Sequence, residues 1–293
     1  MTTNELAIVP SAWTLRHQSF LWGQRTYLMG ILNVTPDSFS DGGQFATVTN
    51  ALQQAEYLVD SGADLLDIGG QSTRPQADTI SLQEELNRVI PVIQAIRHNH
   101  GKTATVPISV DTTRSKVAQA AIAAGADLVN DVSAGTDDPA MLPTVAELQV
   151  PIVLMHRRGT SKTMQQLTDY DNLIGEIYQF LQAQRQQAIA CGISPAQIAL
   201  DPGIGFAKTG GQNLEILRRL GEFRSLGCPL LVGSSRKSFL GKLLDQPDPQ
   251  QRVWGTAATC CAAIAAQADI LRVHDVKEMR DVCRVADAIW RSP

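Results

Sequence analysis

The sequence predicts a single (β/α)8 TIM barrel preceded by a short N-terminal hairpin. Three observations predict it. Eight short apolar runs alternate with segments of helical period. A helix-to-strand pattern recurs as Ala63-Asp64-Leu65-Leu66, Ala126-Asp127-Leu128-Val129 and Ala268-Asp269-Ile270-Leu271. Its copies lie 63 and 205 residues from the first, which is roughly 31 and 34 residues per βα unit if two and six units intervene. Finally, no stretch rich in Pro, Gly or Ser divides the 293 residues, so one barrel is preferred over two domains. An open doubly wound sheet is the alternative.

The elements follow in order. Residues 1–26 form an extension, in which Trp13-Thr14-Leu15 and Phe20-Leu21-Trp22 read as a hairpin covering the barrel bottom. Residues 27–293 form the barrel. Strands are expected near 27–33, 64–69, 107–111, 127–131, 151–155, 197–201, 229–233 and 269–273. Runs such as Leu65-Leu66-Asp67-Ile68 are apolar on consecutive positions, which suits parallel strands buried on both faces. Helices are expected near 48–61, 81–98, 114–124, 139–148, 170–191, 211–225, 250–267 and 276–290. Ser81-Leu82-Gln83-Glu84 reads as a capping box, with Leu82, Leu86, Ile90, Ile93 and Ile96 as the apolar stripe behind it. Met279, Val282, Ala286 and Ile289 form a second stripe, and Gly62, Gly125 and Gly192 stand where C-caps are needed.

Composition narrows the function. With 44% hydrophobic and 18% charged residues the chain builds a large core, which excludes disorder. A net charge of −4 disfavours bulk nucleic acid as the partner. No apolar run reaches the roughly 18–20 residues of a membrane span, and no basic n-region precedes an apolar segment near the N-terminus. The five cysteines form no C-x-x-C pair and read as small hydrophobes in a reducing compartment. A cytoplasmic protein acting on small molecules is expected.

Chemistry in such barrels sits at the C-terminal strand ends. Here those ends carry Asn33, Asp67, Asp111, Asn130-Asp131, His156, Asp201, Ser235-Arg236-Lys237 and Arg272-Val273-His274, with long loops at 34–43 and 69–75. Each Asp or Asn alone reads as a turn former or cap, and a lone His as a structural residue. Gly203-Ile204-Gly205 lacks the Lys-Ser/Thr ending of a phosphate loop. The set differs, because eight ends aim polar groups at one space, and burying them unpaired would cost roughly 1–3 kcal/mol each. Asp111, Asn130 and Asp201 suit a flat heterocycle rich in N–H donors. Arg74, Arg272 and His274 offer a separate cationic end for a phosphate or diphosphate, and Lys237 faces either.

At these residues the sequence resembles the dihydropteroate synthase family. The resemblance rests on Met29-Gly30-Ile31-Leu32-Asn33-Val34-Thr35-Pro36-Asp37-Ser38-Phe39-Ser40-Asp41-Gly42-Gly43, Asp67-Ile68-Gly69-Gly70-Gln71-Ser72-Thr73-Arg74-Pro75, Ser109-Val110-Asp111-Thr112, Asn130-Asp131-Val132-Ser133, Asp201-Pro202-Gly203-Ile204-Gly205-Phe206, Ser235-Arg236-Lys237-Ser238 and Arg272-Val273-His274-Asp275. It spans residue 27 to the end. It implies a folate-pathway transferase that condenses 6-hydroxymethyl-7,8-dihydropterin diphosphate with 4-aminobenzoate to give 7,8-dihydropteroate and diphosphate.

It also implies roles. Asp111, Asn130, Asp201 and Lys237 would hold the pterin between the apolar walls Met155 and Phe206. Asn33 would meet a Mg²⁺–diphosphate unit, with Arg74, Arg272 and His274 on the diphosphate. Thr73, Ser235 and Phe39 would form the 4-aminobenzoate pocket. Asp111, Asp201, Lys237, Arg272 and His274 carry the chemistry in this reading, and a homodimer is expected. The Ala-rich stretch Ala257 to Ala268 would suit such an interface, or close packing on its own barrel. Gln71 stands where the family often has Glu. Arg157 and Arg158 receive no role beyond solvated loop charges. No pterin-kinase segment precedes residue 27, so a single activity is expected. The rival functions are a methyltetrahydrofolate–corrinoid methyltransferase, which has no use for a diphosphate site, and a non-catalytic pterin-binding protein.

Overall fold

Residues 11–35 and 43–291 are described by the structure, a computed structural model. Two strands, β1 (Trp13–Leu15) and β2 (Gln18–Phe20), pair antiparallel with Trp13 opposite Phe20. Eight parallel strands follow: β3 (Tyr27–Asn33), β4 (Leu65–Gly69), β5 (Ile108–Asp111), β6 (Leu128–Asp131), β7 (Ile152–Met155), β8 (Ile198–Asp201), β9 (Leu231–Val232) and β10 (Ile270–Val273). They pair in the order β8-β7-β6-β5-β4-β3-β10-β9. A parallel bridge between Leu200 and Leu230 joins the two ends of that row. The sheet therefore closes into the predicted barrel, and the open doubly wound alternative falls.

Helices lie between the strands: α1 (Gly43–Ser61), α2 (Leu82–His98), α3 (Lys102–Thr105), α4 (Ser115–Ala124), α5 (Met141–Leu148), α6 (Leu173–Ala190), α7 (Gly210–Arg218), α8 (Ser238–Leu244), α9 (Val253–Ala265) and α10 (Val276–Trp290). The short helices α3 and α8 are additions to the sequence reading; four and seven residues show no recurrence at a 3.6-residue period. The predicted helix at 211–225 divides into α7 and a 3-10 stretch, Leu220–Leu226. The predicted strand at 229–233 shortens to two residues, since Pro229 has no N–H for the ladder.

The stripe on α2 is rotated from the expected one. Val89, Val92, Ile93 and Ile96 are buried together with Glu85, whereas Leu82, Leu86 and Ile90 are half-buried. Glu85 accepts from Thr112 Oγ1 at 2.6 Å and Arg114 Nη1 at 2.6 Å, so the helix turns this carboxylate inward. On α10 the buried face is Val276, Met279, Cys283 and Ala286, and Ile289 is exposed. In the Ala257–Ala268 stretch, Ala257, Cys260, Ala263, Ile264 and Ala268 pack within this same chain.

Alternate side chains of each strand face the barrel axis. Met29, Leu65, Leu128, Val153, Ala199, Leu231 and Ile270 form the lower inner layer. Trp13, Leu15, Phe20, Trp22 and Tyr27 join the same buried cluster, so the hairpin seals the N-terminal end. Trp13 meets Trp22 edge-on at 5.1 Å, and its Nε1 donates to Ala196 O at 2.7 Å. The intervening strand residues, such as Leu66, Ile68 and Val110, pack under the helices.

The repeated pattern has a physical reason at this end of the barrel. Asp64, Asp127 and Asp269 each precede a strand, and each accepts a backbone N–H from the neighbouring strand segment. The donors are Leu28 N at 2.8 Å, Ile108 N at 2.8 Å and Leu230 N at 3.0 Å. These carboxylates staple the strand starts together.

Phe20→Ala is expected to destabilise the fold by about 3–5 kcal/mol, because Phe20 is 1% exposed at the centre of the bottom seal. Denaturant unfolding checks this. A loss of under about 1 kcal/mol would remove the hairpin from the core.

Candidate active site

Two residues above the apolar layer, the same inward-facing positions turn polar. Leu65 is followed by Asp67, Leu128 by Asn130, Ala199 by Asp201 and Ile270 by Arg272, with Met155 above Val153. Asp111 pairs with Asn130 in register and so stands at the same height. The bottom is sealed, so these groups meet only the C-terminal mouth.

Arg272 organises this layer. Its Nε donates to Asp67 Oδ2 at 2.5 Å and its Nη2 to Asp111 Oδ2 at 2.8 Å. Burial works against the guanidinium charge, but Asp67 and Asp111 outweigh it and raise its pKa. Asn130 Nδ2 also donates to Asp67 Oδ2, at 3.2 Å. The other oxygens, Asp67 Oδ1 and Asp111 Oδ1, are buried without a hydrogen-bond partner, as is Ser109 Oγ. Unpaired acceptors of this kind are costly to bury and suit a ligand that brings N–H donors.

Asp201 stands across the mouth. Its Oδ1 accepts from Gly203 N at 2.7 Å. Burial pushes its pKa up to about 6, against the pull of that amide and of Lys237, Lys208 and Arg272. Burial likewise holds Asp111 above the usual carboxylate range. Lys237 Nζ lies 4.1 Å over the Phe206 ring, and burial with nearby Arg272 brings it down to about 8. Phe206 and Met155 belong to one buried apolar cluster with Val132, Met164 and Ala207. Gly203 is required here: its φ is +74°, and a Cβ would come within 2.0 Å of His156 O.

The anion side differs from the sequence reading at His274. Burial and the surrounding Arg236, Arg272, Arg74 and Lys237 push it down to about 3, so it is neutral at pH 7 rather than part of the cationic end. Its backbone N donates to Ser235 Oγ at 3.1 Å, and its Nδ1 lies 3.0 Å from the same oxygen. The hydroxyl and Nδ1 share a hydrogen bond whose donor is set by the ring's tautomer, and Nε2 is left for a ligand. Arg236 is held in an ion pair with Asp275. Arg74 is exposed on the loop after β4, close enough to act on His274 and Lys237, and Thr73 beside it is half-buried. Gln71 accepts from Ile80 N at 3.3 Å, a loop-bracing role in place of an anionic one. Asn33 ends β3, half-buried at the rim. Phe39 lies outside the described residues.

Arg157 and Arg158 are not free solvated charges. Arg157 is paired with Asp137 at 2.5 Å, and its side chain is 9% exposed. Arg158 pairs with Glu176 and stacks over the Tyr170 ring at 3.7 Å. His156 takes the structural role expected of a lone His: it is buried, and burial beside Lys208 drives it down to about 2. Asp67 stands among the polar strand ends of the sequence but is given no role there; its inward parity, shared with Asp201, could have marked it. Lys208 escaped the sequence reading and carries no such signal.

Among the described residues no three His, Cys, Asp or Glu side chains cluster to hold a metal. Among the described residues at the rim, the amide of Asn33 would suit a Mg²⁺ that arrives with phosphate oxygens and keeps most of its own water.

The raised pKa of Asp201 has a stability consequence. A carboxyl whose folded pKa lies above its unfolded value favours the fold fully at low pH, and that contribution is lost as pH rises from about 4 to about 6. The stability of Asp201→Asn relative to the wild type is therefore expected to rise by about 1–3 kcal/mol between pH 4 and pH 7. Thermal melts at the two pH values check this; equal shifts at both would contradict it.

The pterin binding enzyme family matches residues 29–274. The dihydropteroate synthase of Synechocystis sp. is 60% identical over 272 residues, 93% of each chain. That of Bacillus subtilis is 45% identical over 266 residues, covering 91% of this chain and 89% of the relative. The solved dihydropteroate synthase of Xanthomonas albilineans with 4-aminobenzoic acid is 40% identical, with a TM-score of 0.88 over 97% of this chain and all of that one. The same enzyme with 7,8-dihydropteroate is 39% identical, with a TM-score of 0.85 at the same coverage.

Proposed function

The chain belongs to the pterin-binding enzyme family, and we propose how its barrel mouth performs the dihydropteroate synthase reaction. The chain is a transferase of folate biosynthesis. It joins 4-aminobenzoate to 6-hydroxymethyl-7,8-dihydropterin diphosphate, giving 7,8-dihydropteroate and diphosphate. The observation that carries the division of labour is the pair of carboxylates Asp111 and Asp201 facing one space, with Asp111 Oδ1 unpartnered.

The pterin lies in that space. Asp111 and Asp201 accept its N–H donors, Asn130 and Lys237 hold its remaining edge, and Met155 and Phe206 cover its faces. Arg272, between the carboxylates and the rim, reaches the diphosphate together with Arg74 and Nε2 of His274. The pterin C–O bond breaks and the diphosphate departs with the electron pair. Positive charge then develops on the pterin, beside Asp111 and Asp201, which stabilise it. The amine of 4-aminobenzoate, held by Thr73, Ser235 and Phe39, forms the new C–N bond and then loses its proton. Ser235 serves partly through His274, whose ring it orients. Mg²⁺, met by Asn33, would neutralise charge on the leaving diphosphate. The assembly we propose is a cytoplasmic homodimer, and sedimentation as a single chain would overturn it.

An assay of diphosphate release with both substrates tests the reading. Release that requires 4-aminobenzoate and Mg²⁺ is expected; release indifferent to both would overturn it. Arg272→Ala should lower kcat/KM by about a hundredfold or more. It also leaves Asp67 and Asp111 uncompensated, so a melting curve belongs beside the kinetics. Pterin affinity should rise with pH through about 6, as Asp201 ionises. Calorimetry across that range, showing a flat affinity, would remove Asp201 from the pterin site.

A further inference from the structure

Lys208 is the most deeply placed cation near the site. It is 3% exposed, at the end of the loop after β8. Its Nζ donates to Gly203 O at 2.9 Å and to Phe206 O at 2.8 Å, and lies 3.0 Å from His156 Nδ1. In the protonated form those contacts use all three ammonium hydrogens. Two acceptors belong to the turn that carries Asp201 and Phe206, and the third belongs to the end of β7. The backbone ties the same two strands, since His156 N donates to Asp201 O at 2.9 Å. His156 stays neutral beside this cation, with its ring edge-on to Phe180 at 5.0 Å.

A neutral donor would satisfy two carbonyls without the penalty of burying a charge. Burial brings Lys208 down to about 7, and Asp201 is the carboxylate that opposes this fall, so the ammonium is held below neutral pH with Asp201 as its compensating anion. We propose that Lys208 is a positioning residue for the pterin pocket. Its ammonium clamps the Gly203–Phe206 turn, so that Asp201 and Phe206 keep their aim, and it supplies positive charge behind Asp201. This rests on the reading of Asp201 as a pterin acceptor.

The charges around this pair are few. Lys208 is acted on by Asp201, Lys237 and Arg158, and it contacts the neutral His156. Asp201 is acted on by Gly203 N, Lys237, Lys208 and Arg272. Removing Lys208 therefore takes one of three cations from Asp201. The carboxyl then keeps its proton to higher pH, and its ionised form becomes available later in a titration.

The test compares the wild type with Lys208→Met, Lys208→Gln and Lys208→Arg by calorimetry with 6-hydroxymethylpterin from pH 5 to 8, and by steady-state kinetics. Met and Gln are expected to weaken pterin binding about tenfold, and to move the pH midpoint of binding up by about half a unit or more. The KM for 4-aminobenzoate should change by less than about twofold. Arg keeps the charge and should restore the midpoint. Gln retains donors for Gly203 O and Phe206 O, so it remains informative should Met fail to fold. A lower melting temperature with unchanged pterin affinity and midpoint would overturn the proposal and leave Lys208 a structural residue. A wild type that binds no pterin would overturn the underlying reading, a result distinct from variants that match a binding wild type.

Discussion

Two carboxylates inside a closed barrel, Asp67 and Asp111, are tolerated because Arg272 lies between them. Asp67 is fully buried, and its partner oxygen meets Arg272 Nε at 2.5 Å. Without that guanidinium the middle layer would hold uncompensated charge, which proteins avoid by protonation or unfolding. The pair of contacts also fixes where Arg272 points. Its position on β10, beside β3, links the strand that ends in Asn33 to the strand that carries Asp67 and the strand that ends in Asp111. Barrel closure and site geometry are thus one arrangement.

The bottom seal gives this arrangement its direction. Trp13, Phe20, Trp22 and Tyr27 close the N-terminal end, so the polar layer opens only toward the loops. Below it, Asp64, Asp127 and Asp269 staple neighbouring strands through backbone N–H groups. Stability is concentrated at one end of the barrel, and strained, partly unsatisfied chemistry at the other. The unpaired oxygens of Asp67 and Asp111 are the residue of that division: they weaken the empty protein and prepare it for a ligand.

The neutral state of His274 and the pairing of Arg157 with Asp137 and of Arg158 with Glu176 shape the field at the mouth. Fewer free charges face the site than a residue count implies. Arg272 is itself paired with Asp67 and Asp111, Lys208 is tied to the turn after β8, and Lys237 faces the Phe206 ring, with Arg74 on an exposed loop.

The sequence by itself determined the barrel, the hairpin and the strand ends that carry the site. Those follow from local period, from the repeated Ala-Asp pattern and from motif residues adjacent in the chain. Asn33, Asp111, Asn130, Asp201 and Arg272 were legible because each ends or nearly ends an apolar run. Only the tertiary structure decided which of them pair. Asp67 and Arg272 are 205 residues apart, and no local pattern records that contact. The same holds for the ionisation of His274, set first by burial and then by Arg236, Arg272, Arg74 and Lys237, and for Lys208, whose meaning comes from partners gathered by folding. Local hydrophobic pattern fixes where strands lie and which way side chains face. Protonation, charge pairing and burial depend on neighbours that only chain closure brings together.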